Sequence, residues 1–141
     1  MSELVVHAFR LNGLLTSAGD AMAEPAGQTS ARWRVLAAIE NTPLTVPQIA
    51  RAWWLSRQSV QRVADALVDE GFAAYDDNPD HRRSKLVRIT RRGTAALRRI
   101  RDAQRVWADE LGADIGEAHL RTANTILARV VRAMAEDQTP P

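Results

Sequence analysis

The chain of 141 residues has no cysteine, which excludes disulfide bridges, thiolate catalysis and thiol-based redox sensing. It has no Gly-rich phosphate loop, no nucleophile elbow and no plausible Ser/His/Asp set, so an enzyme is not expected. Its three histidines, His7, His81 and His119, are scattered and form no H-x-x-x-H pattern. Asp76, Asp77, Asp80 and His81 could in principle hold a divalent ion, but a charged loop tip is the simpler account of them. No metal and no cofactor is therefore expected. No apolar run reaches the length of a membrane span, and the opening MSELVVHAFRLNGLL lacks the basic leader and long apolar core of a signal peptide. These absences lead to the expectation of a soluble, cytoplasmic protein. Repeats and low-complexity tracts are also missing.

Apolar residues make up 45% of the chain, enough for a real core in a single domain over residues 1–141. The net charge is only +2, but it is unevenly spread. Residues 51–105 hold thirteen Arg/Lys against seven Asp/Glu, a net of +6, while the remainder holds six against ten, a net of −4. All the basic residues except Lys85 are arginine. A basic middle between acidic ends suits polyanion binding. Solvated helix faces encoded by a GC-rich genome would give the same count, and charge alone does not separate the two.

Leu4, Ala8, Leu11, Leu15, Ala18 and Met22 alternate spacings of four and three, which predicts a heptad helix over residues 1–23. Glu24 to Thr29 contains Pro25 and Gly27 and reads as a loop, after which Ser30 is placed to cap a helix with Trp33, Leu36, Ala37 and Ile39 on one face. Thr45, with Pro47 and Gln48 behind it, has the pattern of a capping box opening a short helix. Ser56 is a second N-cap eleven residues later, and Val60, Val63, Ala64, Leu67 and Val68 then run helically to Gly71. FAAYDD and KLVRIT flank the charged stretch NPDHRRS and predict a two-stranded hairpin. Thr90 is placed to cap a long helix that Gly112 and Gly116 should break, and a last helix carries Leu120, Ala123, Leu127, Val130 and Met134.

A short capped helix, a tight turn and a second capped helix form a helix-turn-helix, whose second helix enters the DNA major groove. On a helix opening at Ser56, the inward set Val60, Val63, Ala64 and Leu67 leaves Arg57, Gln58, Ser59, Gln61 and Arg62 on the exposed first turns. Arginine pairs bidentately with guanine and glutamine with adenine, so these residue types suit direct readout. An ordinary solvated helix start would also be polar, and the helix alone does not decide. The hairpin tip adds Arg82, Arg83 and Lys85, cations of the kind that enter a narrow, electronegative minor groove.

Two segments carry a family resemblance: LTVPQIAR followed by LSRQSVQRVADALVDEGF, and then DHRRSKLVRITRRG. Together and in this order they resemble the MarR family of winged helix-turn-helix transcriptional regulators, and the resemblance extends over nearly the whole chain. It implies a mainly α fold with a small β-hairpin wing, in an intertwined helical homodimer. Residues 30–92 would be the DNA-binding lobe, and 1–23 plus 93–137 the helical dimerisation layer. Ser56, Arg57, Gln58, Ser59, Gln61 and Arg62 would face DNA. Arg82 would be the wing-tip arginine with Asp80 as its orienting partner, and Arg83 and Lys85 would touch phosphates. The resemblance further implies a repressor on a pseudo-palindromic operator, responsive to a small aromatic or anionic effector in a cleft for which His7, Arg10, Trp33, Trp53 and Trp54 are the candidates.

The chain departs from the motif at one place. A glycine usually precedes Leu-Ser in the turn, and here Trp54 stands there, after Trp53. Tryptophan does not take a positive φ freely. The expectation is a different turn conformation or a longer first helix, with at least one of the two rings anchored on the body of the domain. Two other function classes remain. A winged-helix module that binds protein would need apolar anchors where the face at residues 57–62 is polar and carries cations. A non-specific architectural DNA-binding protein would share the charge pattern but be indifferent to sequence.

Overall fold

A computed structural model of the chain describes residues 2–137. The elements run in the order α1 (Ser2–Ala23), a 3-10 turn (Glu24–Ala26), α2 (Ser30–Ala38), β1 (Leu44–Thr45), α3 (Val46–Trp53), α4 (Arg57–Asp69), β2 (Ala73–Asp76), β3 (Leu86–Ile89), α5 (Arg91–Ile115) and α6 (Glu117–Asp137). The chain divides into two compact units, Met1–Gln104 and Arg105–Pro141.

In the first unit the helical spacings become one core. Val35, Leu36 and Ile39 from α2 and its end, Ile49 from α3, Val60, Ala64 and Leu67 from α4, and Val87 from β3 are all buried. Ala96, Leu97 and Ile100 on the first turns of α5 are buried as well. The sheet is antiparallel with strand order β1-β3-β2. Val87 sits opposite both Leu44 and Tyr75 at the centre of this sheet. The third strand, β1, is an addition to the expected hairpin: two residues are too short to show any periodicity.

Two local expectations change. Thr29, not Ser30, caps α2: its Oγ1 accepts the Arg32 N–H at 3.2 Å. Ser30 is the first helical residue, and its N–H donates instead to Asp20 Oδ1 at 2.7 Å, stapling α1 to α2. Gly112 does not break the long helix, because an interior glycine costs only about 1 kcal/mol against alanine and forces no turn. The break falls at Gly116 alone, where φ is +87°.

Thr90 caps α5 as expected, accepting the Gly93 N–H at 3.2 Å, and its hydroxyl also donates to Gly71 O at 2.7 Å. Gly93 is needed there: a Cβ would lie 2.1 Å from Phe72 O, closer than any side chain can approach. Two bidentate ion pairs brace this unit. Arg32 binds Glu70 at 2.6 and 2.8 Å, joining α2 to the end of α4, and Arg101 binds Glu40, joining α5 to the end of α2.

In the second unit no residue of α6 is buried. Val106, Leu111 and Ile115 of α5 and Ile126, Leu127, Val131 and Met134 of α6 are exposed apolar side chains. Ala8, Leu11 and Leu15 of the α1 stripe in the first unit are exposed as well, and only Gly19 and Ala23 of that helix are buried. Among the described residues no helix is long and apolar enough to cross a membrane.

Candidate nucleic-acid interface

The geometry begins with the caps. Thr45 and Gln48 form the full capping box: Thr45 Oγ1 accepts the Gln48 N–H, and Gln48 Oε1 accepts the Thr45 N–H at 2.8 Å. Helix α3 then closes with the Leu55 N–H donating to Ala50 O at 2.9 Å and the Trp54 N–H to Arg51 O at 3.4 Å. This pair of reversed bonds is a Schellman closure, and it requires a left-handed residue at Trp54. The same closure ends α4, with the Phe72 N–H on Leu67 O and the Gly71 N–H on Val68 O. There Gly71 takes φ +79°; in the turn of the helix-turn-helix Trp54 takes φ +53°.

The expectation about the turn is corrected on both points. Neither a new conformation nor a longer helix replaces the glycine geometry, because Trp54 adopts it. Neither ring is a core anchor: Trp53 is 42% exposed and Trp54 62% exposed. Leu55, the residue after the left-handed position, packs against the core in their place. A hydrophobic contact from this position is a regular companion of the closure.

Two residues on, the Ser56 hydroxyl accepts the Ser59 N–H at 3.1 Å and starts α4 where the sequence placed it. Arg57, Gln58, Gln61 and Arg62 are exposed and Ser59 is half-buried. The hairpin tip is shaped by Asn78, whose Oδ1 accepts the Asp80 N–H at 3.0 Å and whose carbonyl accepts the His81 N–H at 3.2 Å. Asp80, Arg82, Arg83 and Lys85 are exposed on this loop. Among the described residues no ion pair joins Asp80 to Arg82; Asp80 faces a hollow shared with Gln48, Arg51 and His81. Lower on the hairpin, Arg88 pairs with Asp76 at 2.6 Å across the strands.

Helix α4 and the base of the wing line one cleft. Arg57, Gln58 and Gln61 of α4 share a cleft of about 540 Å³ with Tyr75 of β2 and with Arg83, Ser84 and Lys85 of the wing. Three cations thus line one open groove. Ser56, Ser59, Arg62, Asp80 and Arg82 lie outside that lining.

A hydrogen-bond network borders this cleft. Gln61 Nε2 donates to Asp65 Oδ1 and to the Tyr75 hydroxyl, each at 2.9 Å, and the Tyr75 hydroxyl donates to Asp65 Oδ1 at 2.5 Å. The bonds from Tyr75 and then Gln61 hold the Asp65 carboxyl below the usual carboxylate range. Burial, and then Asp65, push the Tyr75 hydroxyl well above the usual phenol range. The spacing of Gln61 and Asp65, four residues apart on a helix, is the only trace of this network in the sequence.

A second cleft, of about 520 Å³, brings Trp33 and Trp53 together with Asn12, Arg34, Arg101 and Gln104. Arg34 Nε is buried there without a hydrogen-bond partner. Of the other effector candidates, His7 and Arg10 are exposed on the early turns of α1, and they and Trp54 are not part of its lining.

Comparison with known proteins bears on this arrangement. The family model described as "MarR family" matches residues 26–84, from the 3-10 turn to the wing tip. An uncharacterised protein of Mycobacterium tuberculosis is 37% identical over 138 residues, covering 98% of this chain and 96% of its own. A MarR transcriptional regulator from Methanosarcina mazei superposes with a TM-score of 0.87 at 16% identity, over 98% of this chain and 100% of its own. A mutant MarR from E. coli, solved in complex with operator DNA, superposes with a TM-score of 0.81 at 21% identity, over 91% of this chain and 93% of its own. The chain belongs to the MarR family of winged-helix transcription regulators, whose members are DNA-binding proteins and not enzymes.

Proposed function

We propose that the protein is a homodimeric, sequence-specific DNA-binding repressor that places one winged lobe, residues 30–92, on each half of a pseudo-palindromic operator. The observation that carries this reading is the groove shared by Arg57, Gln58 and Gln61 of α4 with Arg83 and Lys85 of the wing. Base-reading side chains and phosphate-seeking cations line the same open surface, as a major-groove reader needs. The recognition set is Ser56, Arg57, Gln58, Ser59, Gln61 and Arg62. Ser56 and Ser59 act at the helix start, where free N–H groups favour a phosphate. Arg82, beyond the groove at the tip, reaches the neighbouring minor groove, while Arg83 and Lys85 hold backbone phosphates; Asp80 shapes the tip.

The dimerisation layer would be residues 1–23 and 93–137. The support is the row of open apolar side chains on these helices, including Phe9 at 75% exposure and Leu14 at 69%. A second copy of the chain would cover them. A small anionic or aromatic effector would seat between Trp33 and Trp53, against the Arg34 and Arg101 guanidiniums. It would release DNA by favouring a lobe spacing that no longer matches the groove, which requires different affinity for the two states. A regulator of this kind works in the cytoplasm.

Selection of bound duplexes from a randomised pool at near-physiological salt tests the reading. The expected result is a two-fold symmetric motif with half-site centres roughly 10 bp apart. Affinity should fall steeply as salt rises, since each phosphate contact releases counterions. Retention of duplexes without an enriched motif would make the protein an architectural DNA coat instead.

A further inference from the structure

We infer that Asp65 and Tyr75 are positioning residues that turn Gln61 into an acceptor-only probe, so that it selects adenine or cytosine and rejects guanine and thymine at one position. The inference rests on the proposal that α4 reads base edges.

The Tyr75 hydroxyl has one hydrogen, and at 2.5 Å it is given to Asp65 Oδ1. Toward Gln61 that hydroxyl can only accept. Asp65 is ionised at neutral pH and also only accepts. Gln61 therefore meets two acceptors, both at 2.9 Å, and must supply a donor to each. Its NH₂ group has two N–H bonds, and both are used. The opposite orientation of the amide would set Oε1 against a carboxylate oxygen with no proton between them. The carbonyl Oε1 is thus the end of the side chain left for a ligand, in the groove that Gln61 shares with Arg57 and Gln58.

A free glutamine reads adenine with both ends, its NH₂ on N7 and its carbonyl on the N6 amino group. A clamped glutamine has only the carbonyl. In the major groove the donors available to it are the amino groups of adenine N6 and cytosine N4, while guanine and thymine present acceptors. The code changes from adenine alone to an amino-bearing base of either kind. The clamp also occupies Asp65, a carboxylate on the third turn of the recognition helix that would otherwise take amino groups for itself.

The test uses the full-length protein and a duplex carrying its selected site, with every base pair of one half-site replaced in turn by the other three. Dissociation constants are measured for the wild type and for Gln61→Ala, Tyr75→Phe and Asp65→Ala. One position should lose its preference in Gln61→Ala. There the wild type should bind adenine and cytosine within about threefold of each other, and guanine and thymine roughly tenfold more weakly, the effect of one hydrogen bond made or left unmade. In Tyr75→Phe and Asp65→Ala adenine should pull ahead of cytosine by roughly fivefold or more at that position, as the second contact returns. A wild type that already prefers adenine alone there, or variants that weaken all four duplexes equally, would overturn the inference and leave sequence reading intact. So would a half-site in which Gln61→Ala removes no preference. A wild type with no base preference at any position would overturn the DNA-reading proposal as well, and would be recognised by that flatness.

Discussion

The winged region and the flanking helices are built from similar residues and end in opposite states. In the stretch from α2 to the start of α5, Leu36, Ile49, Leu67, Val87 and Leu97 are 1% exposed or less, and every element contributes to one core. In α1 and α6 the apolar residues are as regularly spaced, yet Phe9, Leu14, Val131 and Met134 are more than half exposed. The first region is a finished fold within one chain. The second has the pattern of a fold without the surface to complete it, and a second copy can supply that surface. Helical periodicity marks a buried face without saying which molecule buries it.

Substitutions in the two regions should therefore fail in different ways. The largest effect is expected from Phe9→Asp, which should leave the winged core intact and abolish self-association. Losing the two Phe9 side chains that the proposed dimer would bury is worth about 3–6 kcal/mol, or roughly 100-fold or more in the dimer dissociation constant, read by sedimentation equilibrium. An unchanged dimer would remove α1 from the interface. Gly93→Ala should do the reverse: Phe72 O and Ile89 must move, at a cost of about 3 kcal/mol in urea unfolding, while any protein that folds still dimerises.

DNA contacts sharpen the comparison within the winged lobe. Arg62→Ala should cost on the order of 1–3 kcal/mol and relax base preference at one position if that guanidinium reads a base; uniform weakening across sequences would make it a phosphate contact. Arg82→Ala should cost less and do so most on sites with AT-rich flanks.

Trp54→Gly tests the turn. A non-glycine residue in the left-handed region carries about 1 kcal/mol of strain, so the glycine variant should be more stable by roughly that amount. Loss of stability would mean that the exposed ring makes contacts worth more than the strain. The smallest effect concerns acid. Because the folded pKa of Asp65 lies below its ordinary value, its network stabilises the native state at neutral pH, and that contribution is lost as pH falls through the lowered value. The stability gap between the wild type and Tyr75→Phe, followed by urea unfolding, should close on acidification below the ordinary carboxylate range.

What could be read from the sequence was what depends on near neighbours. Thr45 with Gln48, Ser56 with Ser59, and Thr90 with Gly93 are partners three residues apart, and each cap sits where the residue pattern put it. The wing strands and the inward face of α4 follow from short periodicities in the same way. What escaped depends on distant partners. Strand β1 exists because Leu44 and Thr45 meet Val87 and Leu86. The pairing of Asp80 with Arg82 comes from the resemblance alone, and among the described residues Asp80 makes its one side-chain-mediated contact through its N–H, on Asn78 Oδ1. The sequence around Gln61 suggests a free adenine probe, because nothing in its vicinity announces Tyr75, fourteen residues on. Residue type alone assigns at least one of the Trp53 and Trp54 rings to the body of the domain, yet both are exposed. The closing bonds of α3 instead assign that place to Leu55. Of the effector candidates, only Trp33 and Trp53 line one cleft, since His7 and Arg10 lie earlier on α1 than Asn12, where that lining begins.

The most direct test of the whole account is the mass of the protein in solution and on its selected duplex, measured by sedimentation. The account predicts a species of twice the chain mass in both settings, with two chains on each symmetric duplex and none of the half-site duplexes bound with comparable affinity. A single chain in solution that occupies half-sites independently and with equal affinity would contradict it, and would leave the open faces of α1 and α6 without the partner assigned to them.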